Sequence, residues 1–271
     1  MDEILTAAPT GLREALETRS AGLERAWGEG PRAYLVLDSP GGPLFARYST
    51  VPEDRAVLRH EAEVRALVGE SGALRSPKVH AQGEGWLLER RIVAGEEPVE
   101  LVVTAAAELA SRSIPPLAAS GGGAPRLDRL ARRLRLLSRP RLAREVLQAR
   151  GLLAGSTLPE VTVHGDFHPG NVLLAECAAW VVDWELTGRG PAGLDLMRYW
   201  ATLGGASDRD RLYAATVELV GHERAVAELR YALTVVTAAD KLSHPRGLNR
   251  DPTGAKALLD LLPELRSAAG L

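Results

Sequence analysis

Cys177 is the only cysteine in 271 residues, so no disulfide can form within the chain and a reducing compartment is expected. Long apolar runs are missing as well. None approaches the ~20 residues that a membrane-spanning helix needs. Charge of one sign is not in excess: a formal net charge of -2 gives no global pull toward nucleic acid or a membrane surface. The opening residues, MDEILTAAPTGLREALETRS, carry acids and arginines where a secretory leader needs a basic start and an apolar run. No internal repeat is visible. These absences leave a cytoplasmic protein as the expectation, with neither nucleic acid nor membrane as partner. What is present is ordinary for a globular chain: 45% hydrophobic and 25% charged residues, at a length that suits one bilobal domain or two small ones.

The first 90 or so residues read as strands around one strong helix. Residues 10–20 and 53–70 have helical patterning, the second with Val57, Leu58, Val64 and Leu67 recurring among charges. Strand-like runs are LERAW (23–27), AYLVLD (33–38), PLFARYS (43–49), KVHAQ (78–82) and GWLLERR (85–91). SPGGP joins two of them as a hairpin turn, because Gly41 and Gly42 are free to take positive φ. Residues 98–119 look helical until Pro115 and Pro116 break them, GGGAP at 121–125 is a joint, and 126–153 read as arginine-rich helix. AAWVVDWEL supplies a strand, and everything beyond about Pro191 reads as helix.

Between these regions, VTVHGDFHPGNVLL (161–174) sets two histidines, an aspartate and an asparagine between apolar runs. Taken singly, His164 and His168 could be polar residues satisfying the backbone of a turn. Taken together, the set suits two chemistries. His164, Asp166 and His168 alternate, and on an extended strand they would share one face, as a metal-dependent hydrolase requires. Pro169 and Gly170 interrupt such a strand, and His60, His80, His222 and His244 form no second ligand cluster. Phosphoryl transfer is the other chemistry. It needs one carboxylate to orient the acceptor hydroxyl, and an amide oxygen with a second carboxylate to hold magnesium against phosphates. Asn171 follows Asp166 by five positions, the spacing of a kinase catalytic loop, and Asp183 stands twelve further on, after the apolar AAWVV. A hairpin over 171–183 would carry Asn171 and Asp183 at neighbouring strand ends, close enough to share a cation.

HGDFHPGN, then VVDWE, then GPAGLDLMRYW resembles the aminoglycoside phosphotransferase and choline kinase superfamily, relatives of the protein kinases. The likeness runs over nearly the whole chain. It implies an α+β, bilobal protein-kinase-like fold. A small antiparallel-sheet N-lobe over residues 1–93 would bind nucleotide, and a mostly helical C-lobe over 94–271 would carry catalysis and the acceptor. It also implies a magnesium-dependent enzyme that moves the γ-phosphoryl group of ATP or GTP to a hydroxyl of a small molecule. By the same resemblance Asp166 is the catalytic aspartate, Asn171 and Asp183 are Mg2+ ligands, and His164 and Asp195 brace the catalytic loop. Trp184 and Glu185 are left without a role.

The nucleotide side departs further from the family. Its small-lobe lysine, which holds the α/β-phosphates and pairs with a helix glutamate, is replaced by Arg47 at the centre of PLFARYS. Arginine can grip phosphate bidentately but is not equivalent to lysine. Glu61, three residues before Val64 and six before Leu67, stands in the register of the partner glutamate. Arg91, Ile92 and Val93 open a segment, RIVAG, that resembles the hinge whose backbone meets the purine. A glycine-rich phosphate cover is nearly absent, since WGEGPR offers only Gly28 and Gly30. Arg47 and that thin loop motivate a rival reading, a nucleotide-binding pseudokinase, against which stands the complete set of Asp166, Asn171 and Asp183.

For the acceptor, the resemblance points to the insertion before the catalytic loop and to the C-terminal helices. Kinases of polycationic aminoglycosides are expected to line that pocket with acids. Residues 118–150 hold nine arginines (126, 129, 132, 133, 135, 139, 141, 144 and 150) against Asp128 and Glu145 alone. A solvated helix face explains this equally well. If the face borders the acceptor, it repels a polycation, and a neutral or anionic acceptor is expected.

Overall fold

The computed structural model describes residues 2–115, 124–243 and 251–271. Packing divides the chain into two compact units, one of residues 1–101 with 171–186 and the other of 102–170 with 187–271. The hairpin after the catalytic-loop motif therefore packs with the N-terminal residues, although some 70 positions of chain separate the two.

The first unit is built on five antiparallel strands, β1 (Gly22–Glu29), β2 (Arg32–Asp38), β3 (Leu44–Ser49), β5 (Val79–Gly83) and β6 (Trp86–Arg90), in the order β1-β2-β3-β6-β5. Side chains alternate across such a sheet, so each strand serves two faces. Leu35 and Leu37 of β2, Leu44, Ala46 and Tyr48 of β3, and Trp86 and Leu88 of β6 face one way. They bury against Leu12 and Leu16 of α2 (Thr10–Thr18), with α1 (Asp2–Thr6) beside them. Tyr48 Oη donates to the Ile4 carbonyl and ties α1 to the sheet. The opposite face carries Tyr34, Phe45, Arg47 and Glu89, and against it lies α3 (Pro52–Val68), with Pro52 in its first turn and Glu53 and Asp54 favourable to its N-terminal dipole. The expected strand and helix order is borne out. A two-residue strand, β4 (Leu74–Arg75), was not expected, and it gives the 171–186 hairpin its place in this unit.

β4 pairs in parallel with β9 (Ala178–Val181), which is itself antiparallel to β8 (Val172–Ala175). Trp184, just past β9, is buried and donates from Nε1 to Ser76 Oγ (3.1 Å) and to the Val181 carbonyl (3.1 Å). Ser76 Oγ in turn donates to that same carbonyl at 3.0 Å. A fully buried indole of this kind contributes a large apolar area with its polar atom satisfied. Trp184 thus has a structural role, anchoring the hairpin to the segment after α3.

The second unit is mostly helical. It holds the greater part of α4 (Glu100–Ser111), then α5 (Ala124–Leu136), α6 (Pro140–Ala154), α7 (Leu194–Trp200), α8 (Ala206–Val220), α9 (Glu223–Ser243) and α10 (Pro252–Ala268). α9 is buried nearly all round and packs against α5, α6, α7, α8 and α10, which makes it the central helix. Residues 126–153, read as helical, fall into two helices. Ser138 turns at φ 57° and Pro140 starts a new helix at its first position, where its missing N–H costs nothing. Leu127, Leu130, Ala131 and Leu134 of α5, with Leu142, Ala143, Val146 and Ala149 of α6, form the buried stripes of two amphipathic helices. Arg129, Arg132, Arg135, Arg139, Arg141 and Arg144 lie on their exposed side, and the side chain of Arg126 is outside the described residues. The joint at 121–125 also lies mostly outside them. Residues 188–191, which lie between the expected strand and the expected helices, form β10 (Gly188–Pro191) and pair antiparallel with β7 (Glu160–Val163). Gly-Arg-Gly-Pro has little strand propensity, and the pairing rests on backbone geometry; a Cβ at Gly190 would meet Val163 at 3.0 Å. Among the described residues no helix is long and apolar enough to cross a membrane.

Candidate active site

In the first unit, strand alternation and helix register bring four charged side chains together between β3, β6 and α3. Arg47 pairs with Glu61, Glu61 lies 3.6 Å from Arg65 one helical turn on, and Arg65 pairs with Glu89 of β6. All four are buried, so each charge depends on its neighbours for stabilisation. Burial pulls the Arg47 guanidinium below its ordinary value, and Arg65 adds to that, while Glu89 and Asp183 oppose it. Arg47 reaches further: its Nη1 is 3.3 Å from Oδ1 of Asp183. The structure therefore places Arg47, Glu61 and Asp183 in one cluster within this unit.

Asp183 owes its position to the hairpin. Val172 pairs with Val181, and the Val182 N–H donates to the Asn171 carbonyl at 2.9 Å, so Asn171 and Asp183 sit at the adjoining open ends of β8 and β9. Asp183 has φ 62°, a left-handed conformation that aspartate and asparagine tolerate better than other side chains. Asn171 is buried. Glu185, two residues on, accepts from Arg32 at 2.8 Å, and Arg32 also holds Asp54 of α3 at 3.1 Å. Carboxylate oxygens of Glu61, Asp183 and Glu185 lie within 4.8 Å of one another. An all-oxygen set suits a hard divalent cation such as Mg2+ better than zinc. Glu61 is already engaged by two arginines, which leaves Asp183, Glu185 and the nearby Asn171 as the residues that could hold such an ion.

Arg91 donates its backbone N–H to the Pro43 carbonyl at 3.0 Å and turns its guanidinium to Glu24 at 2.6 Å. Ile92 packs against Ala175, Ala178 and Trp180, and Val93 is exposed. One feature of the sheet went unread in the sequence. Trp27, Tyr34 and Phe45, from three neighbouring strands, stack in a half-buried ladder on the face that carries Arg47, with centroids 5.2 and 6.1 Å apart along the ladder. The signal was available: aromatics are only 4% of the chain, and on neighbouring strands Trp27 pairs with Tyr34 while Phe45 lies diagonally on the same face, opposite Val36.

In the second unit the motif loop is held by α7. Asp195 is buried, and its carboxylate accepts the backbone N–H groups of His164 (2.7 Å) and Gly165 (3.0 Å). Gly165 needs its missing side chain, since it sits at φ 83°. Burial pushes the Asp195 carboxyl up, against the pull of His164, the two N–H groups and Arg198. His164 is buried, and its Nδ1 accepts from the Asp166 N–H at 3.3 Å. That ring nitrogen faces its own loop's backbone, and His164, Asp166 and His168 do not converge on a shared point. The Asp166 carboxylate is approached on both oxygens, with Arg198 Nη2 at 2.6 Å from Oδ1 and His168 Nε2 at 3.5 Å from Oδ2. His168 Nδ1 accepts from the Gly170 N–H at 3.0 Å, so in the neutral ring the proton sits on Nε2, facing Asp166. Arg198 was not singled out in the sequence, where nothing local distinguishes it from any other helix arginine.

A family model described as the phosphotransferase enzyme family matches residues 22–230. Among solved structures, the chain is similar to a choline/ethanolamine kinase family protein from Mesorhizobium loti, at 20% identity and a TM-score of 0.62, over 97% of this chain and 92% of that one. It is similar to choline kinase from Cryptosporidium parvum at 10% identity and a TM-score of 0.66, over 95% of this chain and 92% of that one. It is also similar to APH(2'')-IIa in its ternary complex with streptomycin and ATP, at 13% identity and a TM-score of 0.61, over 95% and 98% of the two chains. At these identities the likeness is one of fold. No curated protein matches the sequence.

Proposed function

Because this chain belongs to the phosphotransferase enzyme family, we propose that it is a small-molecule kinase that uses Mg2+ and transfers the γ-phosphoryl group of ATP, or of GTP, to a hydroxyl. The observation that supports this most is the Arg47–Glu61 pair with Asp183 at 3.3 Å from the same guanidinium. It repeats, with arginine for lysine, the cation–glutamate pair and metal-binding aspartate on which kinase chemistry depends. In the proposed assignment Arg47 holds the donor's phosphates and Glu61 orients it. Asn171 and Asp183 hold the metal, which when bound neutralises phosphate charge. Asp166 orients the acceptor hydroxyl, and Asp195 and His164 hold its loop. The half-buried rings of Tyr34 and Phe45 offer a surface on which a purine can stack, and the backbone of residues 91–93 is the proposed hinge.

Replacing Arg47 tests the nucleotide side. Arg47→Ala is expected to raise the KM for the donor and to lower turnover, with Arg47→Lys retaining part of the activity. Steady-state kinetics with varied donor measure this; an unchanged KM in Arg47→Ala places the phosphate grip elsewhere. The pseudokinase alternative predicts a thermal shift with ATP and Mg2+ but no phosphate transfer to any acceptor.

For the acceptor we propose a neutral or anionic small molecule. Its support is Arg198, whose guanidinium 2.6 Å from Asp166 Oδ1 offsets the carboxylate charge that a polycation would seek. A panel of sugars, sugar phosphates and aminoglycosides, scored by phosphate transfer from ATP with Mg2+, tests both the reaction and the class. Transfer to neutral or anionic members is expected, with kanamycin-like compounds poor. A low-micromolar KM for kanamycin refutes the class. Failure of every nucleotide to bind or turn over refutes the kinase reading itself.

A further inference from the structure

α7 carries Asp195 and Arg198 three positions apart, so both project from one face of a short helix. Asp195 takes the loop's backbone, through the N–H groups of His164 and Gly165. Arg198 takes the loop's side chain, through Oδ1 of Asp166 at 2.6 Å. The remaining residues of the helix leave it little freedom to shift, since Leu196, Met197, Tyr199 and Trp200 are all buried. Tyr199 also packs tilted beside Phe167, the residue after Asp166, at 6.1 Å between centroids. The arginine is not a solvated surface charge. Its side chain is 12% exposed, and its Nε is buried without a hydrogen-bond partner, so the contact to Asp166 is what directs it.

We propose that Arg198 is a positioning residue for Asp166, fixing the carboxylate by Oδ1 so that Oδ2 is the oxygen that meets the acceptor. This rests on the reading of Asp166 as the residue that orients the acceptor hydroxyl. The step is then defined atom by atom. The hydroxyl proton passes to Oδ2 and the oxygen's electron pair forms the new bond to the γ-phosphorus. The bond from that phosphorus to the nucleoside diphosphate breaks, and its electrons leave with the diphosphate oxygen. An Oδ1 held by a guanidinium cannot rotate into the hydroxyl's place, and the carboxylate plane is set before the acceptor arrives. His168 Nε2 stands 3.5 Å from Oδ2, longer than an ordinary N–H···O hydrogen bond.

The test uses the full chain and Mg2+-dependent ATP hydrolysis, with water as acceptor, in wild type, Arg198→Met, Arg198→Lys, Asp166→Asn and the Asp166→Asn/Arg198→Met double variant. Arg198→Met should lower kcat on the order of 10²-fold, the cost of misplacing a reacting group, while the KM for ATP stays put. Arg198→Lys should recover part of the loss. In the Asp166→Asn background, Arg198→Met should change kcat little, because the two side chains act as one unit. Far-UV circular dichroism and melting temperature accompany each variant, and Arg198→Gln replaces Arg198→Met if the latter does not fold. A wild-type kcat in Arg198→Met, an equal loss in both backgrounds, or a loss that appears only as a raised KM overturns the proposal. The outcomes separate the two claims: normal turnover in Asp166→Asn removes the role of Asp166 itself, whereas an inactive Asp166→Asn beside a normal Arg198→Met removes only the role of Arg198.

Discussion

Asp166→Ala is expected to lower turnover by about 10²–10⁴-fold, the usual range for losing a positioned acid–base group, and to leave nucleotide affinity nearly unchanged. The second half of that expectation comes from placement. Arg47, Glu61 and Asp183, the residues assigned to the donor, belong to the first packing unit, whereas Asp166, His168 and Arg198 belong to the second. Truncation also leaves Arg198 without its carboxylate, and a partly buried cation deprived of its counter-charge costs stability. A fall in melting temperature is therefore expected in Asp166→Ala. Asp166→Asn keeps a hydrogen-bond acceptor for Arg198 and should melt closer to wild type while remaining as inactive. Steady-state turnover and nucleotide titration in both variants measure this. Near-normal turnover in either one sinks the assignment of Asp166.

The parts that could be read from the sequence are those set by local periodicity. β3 alternates as Leu44, Ala46 and Tyr48 against Phe45, Arg47 and Ser49, which puts Arg47 on the face away from α2. The apolar stripe of α3 through Leu58, Val64 and Val68 then turns Glu61 inward to meet it. Five strands and α3 were legible for the same reason, and the expected α+β fold is borne out. What could not be read depends on partners distant in the chain. Arg65 and Glu89 look like surface charges until β6 and α3 are packed together. Arg198 acquires a meaning only because Asp195, one turn earlier, docks α7 onto the motif loop. β10 is four residues of Gly, Arg and Pro that pair because β7 lies beside them, and β4 is two residues whose pairing carries the whole hairpin into the first unit. The arginine-rich segment shows the opposite failure. Its composition stood out, yet the amphipathic pattern of α5 and α6 turns most of those side chains to solvent, so the side chain bearing on the candidate catalytic group is Arg198, outside the segment.

Asp183→Asn is expected to lower turnover by about 10²–10³-fold, the scale for removing one electrostatic stabiliser of developing charge, and to raise the Mg2+ concentration needed for half-maximal rate. Asn171→Ala should act in the same direction but less strongly, since it withdraws a dipole and Asp183→Asn withdraws a full negative charge. The choice of asparagine matters because Asp183 sits at φ 62°. Alanine there adds roughly 1–2 kcal/mol of left-handed strain to whatever the lost carboxylate costs, so Asp183→Ala mixes two effects. Asparagine adopts the same backbone readily and isolates the charge. Arg47, 3.3 Å from Asp183, provides an internal check. Without that carboxylate the guanidinium keeps Glu61 as a partner, so the pair should persist and the melting temperature of Asp183→Asn should stay close to wild type. A stable protein with a lost metal response is the expected result, read from magnesium titrations of phosphate transfer beside thermal melts. A Mg2+ titration superimposable on wild type, or a nucleotide complex in which neither Asn171 nor Asp183 approaches the cation, overturns the metal assignment. Zinc held by His164 and His168 instead would return the chain to the metal-dependent hydrolase reading.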